Sequence, residues 1–539
     1  MTCNRDFFPF VTEKCRIYAS ISFAVLLLGV GLPLWWHTTE VPRVTLPYSG
    51  IKALDELEPR IHLKLYLGCL ESHRAGLLAN ELLQLLTQHG HSEIFRMSLS
   101  QFVTGKTSIA KAKTIADLDQ AVKKFNNFTY GDILLLEAPA GFESGHFVHV
   151  TSGRALYFSR EADSEKIAHV LLQWIYREEA LLLTKNALSS PEEYSLDEEN
   201  RRRFPASPKY DVLLSIVNPD PESVKLNRDL SSMAQDYLEP FLEGLTPLAD
   251  FSVKTQWLYL VPLGVEPKFV SEIGKVSRHY ALSEDLLPQI ITPLEKKLAS
   301  QVSLHPTMNL VVYVVPCDNV PTYIYGRNGR RPVKSHDFEA FHSPRWGGII
   351  LVNPPISYCN RVNMTDEFQL NKEALVKVLL EHLRLLIGIA DKAPIDGVSV
   401  EPLRGGKARS WEIDEALRLR SVEQLTSASL TLRSLSRLLR GIGNIVITDE
   451  VGSGIVRALA MVQHSAKLLD EADLVNGFLA SKRAFIKAEA AFNDPSLLAL
   501  LYFPDDQKYA VYIPLFLPVM IPVLFSLKNI KNYLFCSDE

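Results

Sequence analysis

Residues with the chemistry of catalysis are few in this chain of 539 residues, and their spacing matches no familiar active site. Cys317, Cys359 and His342 fall within one region, and a thiol beside an imidazole base is the pair that a cysteine hydrolase needs. No cysteine-protease signature surrounds either cysteine, and no G-x-S-x-G, H-E-x-x-H or G-x-G-x-x-G motif occurs in the sequence. The sequence therefore predicts no catalytic residues and a non-enzymatic role, with a thiol-dependent hydrolase as the alternative.

Metal, cofactor and nucleic-acid sites are not indicated either. His146 and His149 are three residues apart, but their apolar neighbours favour a strand, on which the two rings point to opposite faces. Gly405, Gly406 and Lys407 lack the earlier glycine and the buried strand of a phosphate-binding loop. The net charge is −5, and there is no basic stripe that would follow phosphates. We expect no metal, no cofactor and no nucleic-acid partner.

Two long uncharged apolar runs, 17–36 and 509–527, lie near the ends of the chain. Each has the roughly 20 residues that a helix needs to cross a bilayer core of about 30 Å. The first run is longer than the ~7–15 residues of a cleavable signal core, and it ends in Trp35 and Trp36, which suit a membrane interface. The sequence thus predicts two transmembrane helices, the first of them an uncleaved anchor.

The residues that flank the two runs predict the orientation of the protein. Lysine and arginine precede the first run, in 1–16, and lysines follow the second, in 528–539, so both termini are expected in the cytoplasm. The region between the runs, 37–508, is then luminal. Two N-glycosylation sequons occur there, at Asn127 and Asn363, as a luminal location requires.

Six cysteines are too few for a disulfide framework. Only Cys69, Cys317 and Cys359 lie in the predicted luminal region, where disulfides form, so at most one internal disulfide is expected. Cys317 and Cys359 stand at the ends of apolar strand-like runs in one region, which makes them the pair to test first. Buried free thiols are the alternative.

Apolar periodicity predicts a mixed α/β luminal region. Strand-like and helix-like segments follow one order twice, strand–helix–strand–helix–strand–strand–strand–helix. This repetition predicts two packed α/β units, at about 53–200 and at 205–390. A Pro/Gly-rich loop, 391–410, leads into a helical segment, 411–503, in which apolar residues recur on one stripe at steps of three and four.

Two further stretches have compositions typical of interfaces. Arg345 and Trp346 are residue types that anchor protein interfaces, and two glycines follow them before a buried strand. A tight turn with Trp346 packed inward is the alternative. Pro514, Pro518 and Pro522 recur every four residues on one face of the second predicted span, and the carbonyls that they free need partners from neighbouring helices. A kinked lone helix is the alternative there.

Several blocks of sequence resemble one known family. They are GLPLWWHTTE (31–40), LPYS (46–49), LLSIVNPDP (213–221), FHSPRWGG (341–348), SWEIDEALRLRSVEQLTSASLTL (410–432) and DPSLLALLYFPDDQKYAVYIPLFLP (494–518). Their order and composition resemble the PIG-S family of glycosylphosphatidylinositol (GPI) transamidase subunits. The resemblance covers both predicted spans and most of 205–525, whereas 53–200 carries little of it.

The resemblance implies a non-catalytic scaffold subunit of the endoplasmic-reticulum complex that replaces the C-terminal signal of a proprotein with a GPI anchor. It implies a two-pass membrane protein with a large luminal domain. The implied partners are a caspase-like, PIG-K-like subunit that carries the nucleophilic cysteine, PIG-T-like and PIG-U-like subunits, and a metallopeptidase-like subunit. A luminal thiol-dependent hydrolase and a luminal cargo receptor are the alternatives.

Overall fold

A computed structural model describes most of the chain. The described residues are 8–31, 33–34, 37, 43–87, 91–105, 107–125, 128–139, 147–186, 203–227, 232–271, 278–298, 302–331, 338–361, 367–389, 392–403, 406–442, 445–498 and 505–535. The chain separates into two compact units. The first unit combines Met1–Leu54, Ala428–Ala460 and Ala484–Glu539, and the second combines Asp55–Ser427 and Met461–Arg483.

The strands of the described residues all belong to the second unit. In chain order they are β1 (Ile61–Cys69), β2 (Phe95–Val103), β3 (Ile133–Glu137), β4 (Val148–Val150), β5 (Ala155–Phe158), β6 (Lys209–Asn218), β7 (Asp250–Tyr259), β8 (Lys268–Val270), β9 (His279–Ser283), β10 (Thr307–Val314), β11 (Thr322–Tyr325), β12 (Glu339–Ser343), β13 (Gly347–Val352) and β14 (Val398–Val400). They form one sheet of six strands, one of five and one of three.

The α-helices connect these strands and then dominate the end of the chain. They are α1 (Phe8–Leu26), α2 (Tyr48–Lys52), α3 (Ser72–Thr87), α4 (His91–Ile94), α5 (Ile115–Val122), α6 (Ser164–Val170), α7 (Glu178–Asn186), α8 (Glu239–Glu243), α9 (Leu287–Glu295), α10 (Ile356–Cys359), α11 (Lys372–Ile387), α12 (Ser410–Gly441), α13 (Asp449–Asp470), α14 (Leu474–Phe492), α15 (Pro495–Leu498) and α16 (Asp505–Phe535). A π-helical segment, Leu171–Tyr176, continues α6.

The two larger sheets share one topology. The six-stranded sheet has the order β14-β4-β5-β3-β1-β2, and the five-stranded sheet has the order β12-β13-β10-β6-β7. When β14 is left out, each of the two sheets has five strands. If the strands of each sheet are numbered 1 to 5 in chain order, both sheets have the order 2-1-3-5-4, read from the edge formed by β2 or β7. In both, only the pair of strands 4 and 5 is antiparallel. The predicted combination of mixed α/β sheets with helical segments is confirmed.

The sheets are buried because parallel strands need helical crossovers that cover their faces. All five residues of β3 are buried, and α3 packs against β1 and β2 on the face that its leucines line. In the five-stranded sheet, α11 packs against β10 and β13. A three-stranded sheet, β11-β9-β8, accompanies this second sheet in sequence. The predicted loop 391–410 differs from expectation, since its residues Val398–Val400 form β14 beside β4.

The first unit holds the helical ends of the chain. In it the N-terminal segment contacts α12, α13 and the link between them. Val44 donates its N–H to the Ile447 carbonyl in the link (3.2 Å). Arg440 of α12 lies over the Tyr48 ring (4.6 Å), and a Cβ on Gly50 would lie 2.9 Å from Leu459 of α13. The helices α1 and α16 pack against each other. The segment that contains the LPYS block therefore packs against the helical part of this unit.

The two terminal helices are the elements on which the predicted membrane spans fall. The helix α16 contains all of 509–527, and α1 contains the first half of 17–36. Among the described residues, no helix meets the length and the apolar character needed to cross a membrane. The structure thus gives the two predicted transmembrane helices no support.

Candidate functional site

The predicted interface hairpin is the turn that joins β12 to β13. Arg345 is exposed at the tip of the turn, where its backbone is left-handed (φ 56°). Trp346 is half-buried, and its side chain packs against the apolar cluster of the five-stranded sheet. Its carbonyl accepts hydrogen bonds from the N–H and the side-chain amide of Asn309 (3.0 and 3.3 Å). Arg345 is thus available to a partner, whereas Trp346 helps to hold the hairpin on its own sheet.

Close packing around β13 explains why two glycines follow Trp346. A Cβ on Gly347 would overlap the carbonyl of Asn309 in β10, and a Cβ on Gly348 would overlap the ring of His382 in α11. Any side chain at either position would push β13 away from its neighbours. The two glycines therefore allow β13 to pack closely against β10 and α11 within this chain.

Cys317 and Cys359 are joined by a disulfide bond, with their Cα atoms 5.4 Å apart. Cys317 follows β10 and Cys359 ends α10, which follows β13, so the bond links the segments that leave two neighbouring parallel strands. Of the other cysteines among the described residues, Cys15 is exposed and Cys69 is buried. Burial and the charge of Glu137 raise the pKa of Cys69 to about 12, so this thiol stays protonated and is a poor nucleophile.

The remaining predicted site residues are placed as follows. Asn127 and Asn363 lie outside the described residues. Pro514, Pro518 and Pro522 lie inside α16, and all three are exposed. Within the described part of the chain, no group of three or more His, Cys, Asp and Glu residues could hold a metal ion.

The N-terminal half of α12 is a site that the sequence analysis did not anticipate. All but one of its carboxylates and guanidinium groups are buried, although such groups are almost never fully buried unless they are paired. The helix begins on the turn between β4 and β5, where Ser410 donates its N–H to the Ser152 carbonyl (2.8 Å) and the Trp411 indole donates to the Thr151 carbonyl (3.0 Å). We call the charged side chains Glu412, Asp414, Glu415, Arg418, Arg420 and Glu423 the α12 ion cluster.

Asp414 connects the α12 ion cluster to the first half of the second unit. Its carboxylate, 0% exposed, accepts two hydrogen bonds from the Arg154 guanidinium (2.5 and 2.8 Å) and one from the Gly131 N–H (3.0 Å). Burial opposes the charge of Arg154, but these hydrogen bonds outweigh it and raise the pKa of Arg154 above its usual value. The Arg154 guanidinium is therefore charged, and the two side chains are held in a bidentate geometry.

Glu412 and Glu415 extend the same pattern. Glu412 accepts from Arg384 (2.8 and 3.2 Å) and from Arg409 (2.6 Å). Glu415 accepts from Arg177 (3.2 Å), and Lys392 bonds to the same carboxylate. Each carboxylate thus has two cationic partners from different parts of the chain. These ion pairs join distant segments of the chain to the first turns of α12.

Arg418 and Arg420 donate to backbone carbonyls on either side of α12. Arg420 reaches the carbonyls of Phe204 (3.0 Å) and Ile387 (3.1 Å). Arg418 is fully buried, donates to the Ile175 carbonyl (2.7 Å), and lies 5.1 Å from the centre of the Tyr176 ring. Burial lowers the pKa of its guanidinium, and the charge of Asp414 opposes that shift. The cluster thereby holds residues of 53–200 and of 205–390 on one helix.

The sequence contains a signal for the α12 ion cluster, but a search for periodic apolar residues alone does not detect it. The buried stripe of α12 runs at steps of four and three through Asp414, Arg418, Ser421, Leu425, Ala428, Leu432, Leu435 and Leu439. From Leu425 onward the stripe is apolar, which is the pattern that predicts a packed helix. Before Ser421 it consists of the charged residues Asp414 and Arg418. Charged residues in register with a buried stripe indicate buried ion pairs.

Comparison with known proteins gives the family of this chain. A family model described as "Phosphatidylinositol-glycan biosynthesis class S protein" matches residues 22–535. The chain belongs to the PIG-S family. The matched range includes the α12 ion cluster, the disulfide and the hairpin of Arg345, so all three lie within the PIG-S region of this chain.

Named relatives agree with this assignment. The Bos taurus and Homo sapiens proteins named "GPI-anchor transamidase component PIGS" are each 35% identical to this PIG-S chain, over 95% of it and 94% of their own length. A Schizosaccharomyces pombe protein named "GPI transamidase component PIG-S homolog" is 25% identical over 97% of the chain and 85% of its own length. The resemblance drawn from the sequence blocks is confirmed. It also covers 53–200, a region in which no such block was found.

Proposed function

We propose that this PIG-S protein is a non-catalytic scaffold subunit of the GPI transamidase of the endoplasmic reticulum. That complex removes a C-terminal signal from a proprotein and attaches a GPI anchor in its place. The observation that carries the proposal is the family match over 22–535, together with relatives that are named components of this transamidase over nearly their whole length.

The scaffold role is supported by the state of the ionisable groups. Both cysteines that a thiol hydrolase would use, Cys317 and Cys359, are bonded to each other. The buried carboxylates of the α12 ion cluster are occupied by arginine and lysine partners. These ion pairs join segments that lie far apart in the chain, which is consistent with a structural role.

The partners that we propose are a PIG-K-like caspase-like subunit, PIG-T-like and PIG-U-like subunits, and a metallopeptidase-like subunit. Affinity purification of the tagged full-length chain from mildly solubilised microsomes should recover all four in fixed proportion. Recovery of the chain alone would contradict the proposal. Recovery of variable client proteins in place of these subunits would favour a cargo receptor.

Loss of the protein gives a cellular test of the same proposal. In cells that lack it, GPI-anchored proteins at the surface should fall, and proproteins that keep their C-terminal signal should accumulate. Normal processing of proproteins in such cells would contradict the assignment. Re-expression of the wild-type chain should restore both quantities.

We further propose that the protein is anchored in the endoplasmic-reticulum membrane by 17–36 and 509–527, with both termini cytoplasmic and 37–508 luminal. The support is the absence of charge in both runs and the exposure of their apolar side chains, such as Val25 (64%), Leu515 (68%) and Phe525 (64%). Protease added to sealed microsomes should leave a luminal fragment intact. The wild-type protein should lose mass when a glycosidase is added, and replacement of Asn127 and Asn363 by Gln should abolish this loss. A wild-type protein whose mass the glycosidase does not change would argue against luminal glycosylation.

A further inference from the structure

A cavity of about 180 Å³ lies at the carboxyl edge of the five-stranded sheet. Its walls come from the ends of β10 and β13, from the residue after β6, and from the segment 262–267 that follows β7. Most of the lining is apolar, from the side chains of Leu263, Val265, Tyr313, Val315 and Leu351. A protein cavity of about 150 Å³ holds benzene, so this cavity has room for one ring.

The cavity lies at the point where the strand order of this sheet reverses. From β6 the chain passes first to β7 on one side and later to β10 on the other side. Open, mostly parallel sheets bind ligands outside the carboxyl ends of their strands at such a point. Pro219 follows β6, Val315 and Pro316 follow β10, and all three line the cavity. The cavity is therefore in the place where a sheet of this type takes a ligand.

In the six-stranded sheet, the equivalent point between β1 and β3 is bridged by charged side chains. Glu137, 1% exposed, ends β3 and accepts a hydrogen bond from the N–H of Leu70, which follows β1 (2.9 Å). Arg74 pairs with the same carboxylate (3.1 Å). Two prolines and a valine stand at this point in the five-stranded sheet, and their side chains form no hydrogen bonds. The two sheets thus share a topology but differ at the point of reversal.

The walls of the cavity are held in place by the chain itself. The disulfide between Cys317 and Cys359 ties the segment after β10 to α10. In the segment 262–267, Gly264 has a left-handed backbone (φ 82°), and a Cβ on it would lie 2.6 Å from Pro293 of α9. Four of the lining residues are prolines, whose fixed φ leaves the backbone little freedom. Such walls keep their shape, so little ordering is needed when a ligand binds.

The polar groups of the lining favour a positively charged ligand. Val315 donates its N–H to the Val352 carbonyl (2.9 Å), and the prolines have no N–H to offer. Thr322 donates its N–H to the side chain of Asn353 (2.8 Å). The residues that line the cavity include no lysine, arginine or histidine, whereas Glu266 is exposed at its mouth and forms no ion pair with a described residue. The carboxylate of Glu266 is thus free to pair with a cation.

We propose that this cavity binds a small amine that carries one apolar ring. The ring lies between the ends of β6 and β10, against Tyr313 and Val315, and the ammonium group stays at the mouth beside the Glu266 carboxylate. The enclosed shape and the volume of a single ring fit a small molecule. The inference goes beyond the proposed function and does not depend on it, because the site lies within one compact unit of this chain.

The test measures the binding of two probes to the purified full-length chain in detergent. Phenethylamine and hydrocinnamate both carry a phenyl ring on a short chain, but the first ends in an ammonium group and the second in a carboxylate. In titrations followed by ligand-observed NMR, phenethylamine should bind with a Kd of about 1 mM, which is ordinary for a ligand of its size. Hydrocinnamate should bind about tenfold more weakly, because Glu266 repels its carboxylate. No saturable binding of phenethylamine, or equal Kd values for the two probes, would overturn the inference.

Two variants separate the charge at the mouth from the space inside the cavity. Glu266→Lys reverses the charge at an exposed position, so the protein should fold normally and hydrocinnamate should become the tighter of the two probes. Val265→Phe adds a ring from the half-buried lining and should abolish binding of both probes. The matched control is Glu243→Lys, which makes the same charge reversal at the exposed end of α8, before the amino end of β7. It should leave both Kd values unchanged.

Three results with these variants would overturn the inference. Equal effects of Glu243→Lys and Glu266→Lys would show that the probes respond to the net charge of the protein. Wild-type affinity in a Val265→Phe variant that still unfolds cooperatively would place the probes elsewhere on the chain. If Val265→Phe and Glu266→Lys both fold but lose one partner subunit on purification of the complex, the cavity holds a side chain of that subunit and no small amine. None of these results bears on the proposed function if the wild-type chain still recovers its partners.

Discussion

At the residue scale, Asp414 shows how buried charge is used in this protein. Its charge acts on the buried Arg418, and its carboxylate is bonded to the Arg154 guanidinium, which is 19% exposed. Asp414→Asn keeps the shape of the side chain but leaves that guanidinium without its counter-charge. We expect a loss of about 3–5 kcal/mol in the free energy of unfolding, measured by denaturant titration of the purified protein.

The pair of Glu58 and Arg60 is the matched control for this prediction. Their contact is 3.2 Å, similar to those of the α12 ion cluster, but both side chains are more than half exposed. Glu58→Gln should cost less than about 1 kcal/mol, since water screens the pair and already solvates both groups. Equal effects of Asp414→Asn and Glu58→Gln would show that burial of the α12 ion cluster does not matter for stability.

From the sequence, a pair of contacting residues could be named only where few residues of the required type were available. The pairing of Cys317 with Cys359 could be named because only three cysteines lie in the region that the sequence predicts to be luminal. The Asp414–Arg154 pair could not be named, because its members are 260 residues apart and arginine is common on surfaces. Only the tertiary packing of α12 shows which of the many arginines each carboxylate meets.

At the element scale, the disulfide holds together the segments after β10 and β13. The two cysteines are 42 residues apart, and closing a loop of that size stabilises a protein by about 2–4 kcal/mol. Cys317→Ser with Cys359→Ser should lower stability by this amount while GPI attachment per molecule of protein stays at the wild-type level. Pulse-labelled proprotein conversion, divided by the amount of the variant present, measures this. A loss per molecule would favour the thiol hydrolase.

The repeated order of elements is what the sequence predicted best at this scale. Buried apolar runs and amphipathic segments alternate twice, and the two sheets repeat one strand order. The strand β14 could not be predicted, because its three residues lie in a Pro/Gly-rich segment and gain strand structure only by pairing with β4. Local propensity is weak in so short a segment, and tertiary contact decides its conformation.

At the scale of the whole molecule, the question is whether the C-terminal helix is a passive anchor or an assembly surface. Pro514, Pro518 and Pro522 each remove a backbone hydrogen bond inside α16, and their side chains are exposed. In lipid, the freed carbonyls require partners from other helices. Replacing all three prolines by Leu should therefore lower recovery of multi-spanning partner subunits several-fold, measured by quantitative mass spectrometry of the purified complex.

A control for this triple variant must keep the apolar character of α16 and change a different row of side chains. Leu517→Ile combined with Ile521→Leu does so, since both residues are exposed and four positions apart. This control should recover the partners at the wild-type level. If the triple variant does the same, then α16 is an anchor only, and assembly of the complex depends on other parts of the chain. If both variants lose the partners, the effect belongs to membrane insertion of α16, and the prolines have no separate role.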